Sequence, residues 1–322
     1  MIVCHALTGN QAVHSWWKEI FGKDKLLDPT KYKIVCANVL GSCYGTTGPS
    51  SIDRTTRLPY GSEFPETTIR DTVRLHMKLI KEELKVKHIA CVIGGSMGGM
   101  QALEWAAIGG PELVRTVVPI CCGTHHHAWQ IAVSETQRRA IRNDPNWYGG
   151  DYYQKCVAPN QGLALARQIA MISYRSHEAY EKKFGRHKGN DGTFEVERYL
   201  THQGRKFLPR FDASSYVHLT QVMDSHDLGR NRHEGIVEFA AKRMTMPALV
   251  VGVSSDGLYP TSEQEALHRV LPNSEYLCVD SPNGHDGFLL DHEAIMPVAM
   301  EFLRRHVPIE QRSIEGGGTA KL

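Results

Sequence analysis

Short apolar runs recur along the chain, and longer segments with one apolar face lie between them. Six runs read as strands, at residues 1–5, 33–39, 88–93, 116–121, 248–253 and 275–280. They are near-continuous in apolar residues rather than alternating, as expected for strands covered on both faces of a parallel sheet. Helices are expected over 67–84, 98–107, 261–270 and 295–306. The first sets Ile69, Val73, Met77, Ile80 and Leu84 on one face. Pro260, Thr261 and Ser262 supply start chemistry for the third. This alternation predicts an α/β fold with a mostly parallel, doubly wound sheet.

The rhythm breaks between residues 123 and 246. No core strand is legible there, and "NDPNWYGGDYY" and "HKGNDG" carry loop signals. The expected organisation is therefore a core from 1–122 and 247–309, a helical cap inserted at 123–246, and a disordered tail at 310–322.

Composition narrows the classes. With 322 residues the chain can hold one large α/β domain with an insertion. Its 41% hydrophobic and 22% charged residues describe a globular, soluble protein. A net charge of +2, with Lys and Arg scattered, argues against a nucleic-acid partner. No run is long enough to span a bilayer, and the start lacks the basic region of a signal peptide. No membrane partner is expected. Five of the eight cysteines (Cys4, Cys36, Cys91, Cys121, Cys278) lie in or beside strand-like runs, and no CxxC pair occurs. Buried free thiols in a reducing compartment are expected, hence a cytoplasmic protein without disulfides or a zinc site.

The candidate chemistry begins at "CVIGGSMGGMQALEWA". Gly94-Gly95-Ser96-Met97-Gly98 follows a predicted strand and precedes a predicted helix, the setting of a G-x-S-x-G nucleophile elbow. Glycines two before and two after the serine avoid collisions between strand and helix. The Met97 N–H opens that helix and aims at a developing oxyanion. A plain Gly-rich turn is the alternative. A serine nucleophile needs a base and an orienter, which elbow proteins place later in the order Ser, Asp, His. Asp256 ends one predicted strand and His285 follows the next, with Asp280 as the rival orienter. The Leu7 N–H, after the first strand, is the candidate second oxyanion donor, against an ordinary β–α turn.

Other features weigh less. Three consecutive side chains, His125, His126 and His127, cannot converge on one ion from a helix or strand, so no metal site is expected. They would line the mouth of the site or begin a solvated helix. Trp16 and Trp17 read as packing.

The blocks "CHALTG", "SWW", "GSCYGTTGPSS", "YGSEFPETTIRD", "IGGSMGGMQALEWA", "SETQRRAI", "DPNWYGGDYY", "GLALAR", "SDGLYP" and "GHDGFLLD" fall in order from about residue 1 to 306. Together they resemble the homoserine O-acetyltransferase family, acyltransferases of methionine biosynthesis with the α/β-hydrolase fold. The resemblance implies Ser96 as nucleophile, Asp256 and His285 as its triad partners, and Arg167, Tyr174 and Asp286 as substrate contacts. It implies acetyl-CoA as co-substrate, homoserine as acceptor, no bound cofactor, and a homodimer formed through cap helices. Family members carry a further segment before "CHALTG", so the first strands of the sheet are expected to be missing here.

Simple chemistry agrees with these contacts. Homoserine is a zwitterion and needs one cation and one anion. Arg167 sits in the mostly apolar "GLALARQIAMISY", where a guanidinium requires a partner. Without the resemblance, a structural salt bridge or a snorkelling arginine is the plainer account. Tyr174 lies two helical turns on, on the same face, and would otherwise be cap packing. Asp286 would hold the ammonium, or otherwise cap its own loop. Alternatives remain at this level: serine O-acetylation, homoserine O-succinylation, an esterase or thioesterase of the same fold, and a non-catalytic protein on a hydrolase scaffold.

Overall fold

The computed structural model describes residues 1–232 and 235–307. Strands β1 (Ile2–Cys4), β2 (Val92–Gly95), β3 (Val117–Ile120), β4 (Ala248–Val253) and β5 (Ser274–Val279) form one sheet in the order β1-β2-β3-β4-β5. Every pairing is parallel. Successive side chains of a strand face opposite sides. Ile2, Val92, Val117 and Val250 therefore join one apolar cluster, and Val3, Ile93, Val118 and Val251 join another. Both faces of β1 to β4 are buried, which is why those strands read as continuous apolar runs, whereas the edge strand β5 is only partly buried.

Right-handed crossovers that always step the same way put their helices on one face. Helices Ile69–Lys78, Met97–Leu113 and Thr261–Val270 share that face, through Ile69, Val73, Leu103 and Leu267. Trp17, Leu26 and Leu27, with Ile295, Phe302 and Leu303 of the helix His292–His306, cover the other. Thr68 and Asp71 form a reciprocal capping box that starts the Ile69–Lys78 helix.

Two expectations need correction. Residues 33–39 do not form a strand. Only Val35 bridges to Ile2, with hydrogen bonds from Val3 N to Val35 O (2.8 Å) and from Val35 N to Met1 O (3.0 Å). Further along, side chains rather than β1 partner the backbone. His76 Nε2 bonds Asn38 O (3.0 Å), and Val39 N donates to His5 Nε2 (3.0 Å). The strand expected at 88–93 lies further on, at Val92–Gly95, so the glycine pair belongs to the strand rather than to the turn.

Between β3 and β4 the described chain has no strand. Helices Ala128–Arg142, Asn160–Ser173, His177–Phe184, Glu195–Phe207 and Ala213–Asp224 fill the interval. Entry and exit meet, since His126 N donates to His226 O (2.9 Å) and Leu228 N to Thr124 O (3.0 Å). The two ends of the helical stretch thus lie side by side just beyond the carboxyl end of β3, and the chain then runs back to the amino end of β4. The tail expected at 310–322, and residues 308 and 309 of the expected core, lie outside the described residues. Among the described residues no helix is long and apolar enough to cross a membrane.

Candidate active site

Ser96 leaves β2 and caps the helix Met97–Leu113 with φ 58° and ψ −126°. A side-chain-bearing residue rarely adopts positive φ, so the turn is strained. Its backbone is pinned by a hydrogen bond from Ser96 N to Ile120 O (2.9 Å), while Ser96 O accepts from Gly99 N (2.8 Å). A Cβ on Gly98 would lie 2.1 Å from Cys4 O, and one on Gly94 would lie 2.5 Å from the Gly98 carbonyl. Only glycines let β1, β2 and the helix converge beneath the serine.

Met97 is the first residue of that helix, and Leu7 lies in the loop after β1. One side chain ties this helix to that loop. Gln101 Nε2 donates to His5 O (3.1 Å) and to Met97 O (3.2 Å). Burial lowers the His5 pKa to about 4. The ring is therefore neutral at physiological pH, with Nε2 accepting from Val39 and Nδ1 bonded to Ala6 O (2.9 Å).

Asp256 follows β4, and His285 lies in the turn Gly284–Asp286 after β5. Asp256 Oδ1 accepts from Leu258 N (2.9 Å) and Tyr259 N (2.8 Å). Its Oδ2 is 2.7 Å from His285 Nδ1. Asp280, the rival, instead accepts from Ser254 Oγ (3.0 Å). Burial alone would lower the His285 pKa. The Asp256 carboxylate, with smaller help from Asp286 and Glu263, outweighs it and raises the pKa. Asp256 fixes the proton on Nδ1 and leaves the Nε2 lone pair free. That nitrogen is buried and has no hydrogen-bond partner among the described residues.

Ser96 and His285 open into one cavity of about 90 Å³ whose walls also include Leu7, Arg167, Tyr174 and Asp286. Of the eight residues singled out from the sequence, only Met97 and Asp256 do not line it. Met97 is buried beside Ser96, and Asp256 is buried behind His285. Larger hollows of about 700 and 690 Å³ lie elsewhere, against the last helix and beside residues 35–46. Neither holds a nucleophile with a paired base, so chemistry rather than size assigns the site.

Arg167 is the informative wall residue. Its guanidinium lies over the rings of Phe207 (5.0 Å) and Tyr174 (5.7 Å). Its buried Nη1 has no hydrogen-bond partner among the described residues. A shielded guanidinium nitrogen without an acceptor is costly, and an anionic ligand would relieve it. Asp286 is committed on one side, with Oδ2 2.9 Å from Arg175 Nε. Burial raises the Asp286 pKa, and Arg175, His285 and Arg167 oppose that rise.

Several residues escaped the sequence reading. Tyr259 stacks on His285 at 5.0 Å and 26°, and its hydroxyl is hydrogen-bonded to His126 Nδ1 (3.1 Å). His126 is therefore a buried buttress, neither a mouth residue nor a solvated helix start, and burial lowers its pKa to about 3. The rings of His125 and His127 lie 3.9 Å apart. Ligand-type atoms of Cys121, Asp256 and His285 lie within 4.8 Å of one another. Burial holds the Cys121 thiol protonated, hydrogen-bonded to Asp256. With its oxygens already taken by N–H donors, the Asp256 carboxylate is set for proton chemistry rather than for a metal. Arg175, Gln101 and Tyr259 gave no local signal, because their roles come from partners remote in sequence.

The α/β-hydrolase fold family matches residues 1–292. The homoserine O-acetyltransferase of Chlorobaculum parvum is 47% identical over 305 residues, spanning 95% of this chain and 84% of that protein. The crystal structure of homoserine O-acetyltransferase from Bacillus anthracis superposes with a TM-score of 0.87 at 24% identity, over 95% of this chain and 88% of that one. An acetylester hydrolase from Corynebacterium glutamicum reaches 0.82 at 22% identity, over 94% and 85%. At such identities the two solved structures speak for the fold alone, which a transferase and a hydrolase share.

Proposed function

The chain belongs to the homoserine O-acetyltransferases of the α/β-hydrolase fold, and on that premise we propose that it moves an acetyl group from acetyl-CoA to the hydroxyl of L-homoserine through an acyl-enzyme on Ser96. In the first half, Ser96 Oγ attacks the thioester carbonyl while His285 Nε2 takes its proton. The Leu7 and Met97 N–H groups receive the oxyanion. The C–S bond breaks, and His285 returns the proton to the departing CoA sulfur. In the second half, His285 takes the homoserine hydroxyl proton. The alkoxide attacks the acyl ester, and Ser96 Oγ leaves with that proton. The product is O-acetylhomoserine, an intermediate class suited to methionine biosynthesis.

One observation separates transfer from hydrolysis within a shared fold: the Arg167 guanidinium facing the Ser96 cavity with a nitrogen unsatisfied. A water acceptor would not use it. An α-amino acid would place its carboxylate there and its ammonium against Asp286, with Tyr174 as a further wall of the same cavity, its ring 6.0 Å from that of His285. We further propose a homodimer through the cap, where Trp129, Leu165 and Ile172 are exposed apolar side chains. A cytoplasmic location fits the eight free cysteines, four of them buried.

The test is free-thiol release from acetyl-CoA and from succinyl-CoA, each with homoserine, with serine and with no acceptor. Release from acetyl-CoA that depends on homoserine is expected. Equal release without an acceptor would make the protein a thioesterase and return Arg167 and Asp286 to structural roles.

A further inference from the structure

The turn that carries His285 is gripped from two sides. On the core side, Ser255 Oγ donates to Ser281 O (2.5 Å) and accepts from Gly284 N (2.9 Å). On the cap side, the backbone of residues 174–176 presses on it. Gly284 has φ +66°, and a Cβ there would lie 2.6 Å from Ser176 N and 2.7 Å from the Arg175 carbonyl carbon. Asp286 N donates to Tyr174 O (3.0 Å), and Ser176 Oγ donates to Pro282 O. The Arg175–Asp286 ion pair, 2.9 Å long, closes this contact, with side chains only 24% and 19% exposed.

We propose that Arg175 is a positioning residue for the acceptor half of the reaction: it holds one oxygen of Asp286, leaves the other for the acceptor ammonium, and ties the acceptor site to the His285 turn. The inference rests on the reading of Asp286 as the ammonium contact. Two features distinguish this from mere packing. Arg175 follows Tyr174 and lies one helical end away from Arg167, so one piece of cap carries the acceptor contacts and the clamp together. The clamp also lands on the residue next to the proposed general base, not on a remote part of the loop.

The electrostatic surroundings give the inference a readable signature. Asp286 is faced by the cations Arg175 and Arg167 and by His285, and its charge is felt by the phenols Tyr174, Tyr180 and Tyr199. After burial, which raises its pKa, Arg175 is the strongest opposing influence. Without Arg175 the carboxyl would hold its proton to higher pH, and ammonium binding would fail earlier on the acid side.

The experiment compares wild type, Arg175→Ala and Arg175→Lys. It measures the acyl-enzyme burst with acetyl-CoA and the homoserine KM across the pH range, after circular dichroism establishes folding. Arg175→Ala is expected to raise the homoserine KM about tenfold. It should change the burst rate by no more than about threefold. The acid limb of homoserine KM should move up by about one pH unit, and Arg175→Lys should restore most of both. Should the alanine variant not fold, Arg175→Gln carries the same comparison. An unmoved homoserine KM and acid limb would overturn the inference, as would an equal loss in both half-reactions. A wild type that acylates from acetyl-CoA but never transfers to homoserine would instead overturn the underlying function, and this inference with it.

Discussion

On the core side of the cavity, Ser96, Asp256 and His285 stand on turns that close β2, β4 and β5. On the cap side, Arg167 comes from the middle of the helix Asn160–Ser173 and Tyr174 caps its end. The core side is held in place by the protein's own contacts, with the His285 Nε2 lone pair left open. Asp256 is saturated by two backbone N–H groups and the imidazole, and the strained Ser96 backbone is pinned by its neighbours. The cap side instead leaves a cationic donor open, because Arg167 keeps an unsatisfied buried nitrogen. A reactive centre must be organised before substrate arrives, whereas a recognition site keeps its strongest interaction for the substrate. Under the proposed function, that difference gives acyl chemistry to the core and the carboxylate contact of the acceptor to the cap.

That division can be broken most severely at the nucleophile. Ser96→Ala should abolish thiol release from acetyl-CoA with or without homoserine, a loss on the order of 10⁴–10⁶ in kcat. A variant that kept its activity would remove the elbow from the mechanism. Next in size, Gly98→Val would drive a side chain into Cys4 O, 2.1 Å from the ideal Cβ position. Urea denaturation should register a loss of about 3 kcal/mol or more, and an unchanged midpoint would mean that the three-way convergence under Ser96 is loose.

The cap side should respond differently. Arg167→Ala should raise the homoserine KM about 100-fold while the acyl-enzyme burst stays within about threefold. An equal fall in both would dissolve the distinction between the two halves. The smallest effect is in pH. His285 must be neutral to take a proton, so kcat rises with pH through its pKa. Because Asp256 raises that pKa against burial, the acid limb should lie above the ordinary histidine value of 6.5. A midpoint at or below that value in the kcat profile would mean that burial, not Asp256, governs the imidazole.

The sequence made much of the core side legible. The glycine spacing around Ser96 reports backbone clearance directly, and the order Ser96, Asp256, His285 follows the ends of successive strands. The choice of Asp256 over Asp280 was readable from strand position alone. Less was readable where backbone groups had competing partners. The run 33–39 has strand composition, yet His5 and His76 side chains claim its hydrogen bonds. The His125–His127 triplet gave no hint that its middle member would be buried against Tyr259, because that contact needs the cap folded onto the loop after β4.

By itself, then, the chain determined what adjacent residues can enforce: the buried parallel strands, the strained serine turn with its glycines, and the helix starts. These depend on sterics and on periodic burial over a few residues. Tertiary structure alone decided that Arg175 would pair with Asp286, that Gln101 would tie the helix after Ser96 to the loop after β1, and that Arg167 Nη1 would be left without a partner among the described residues. Each of these depends on where the cap comes to rest on the core. That placement is set by the sum of many weak apolar contacts between segments far apart in sequence, and no local pattern encodes such a sum.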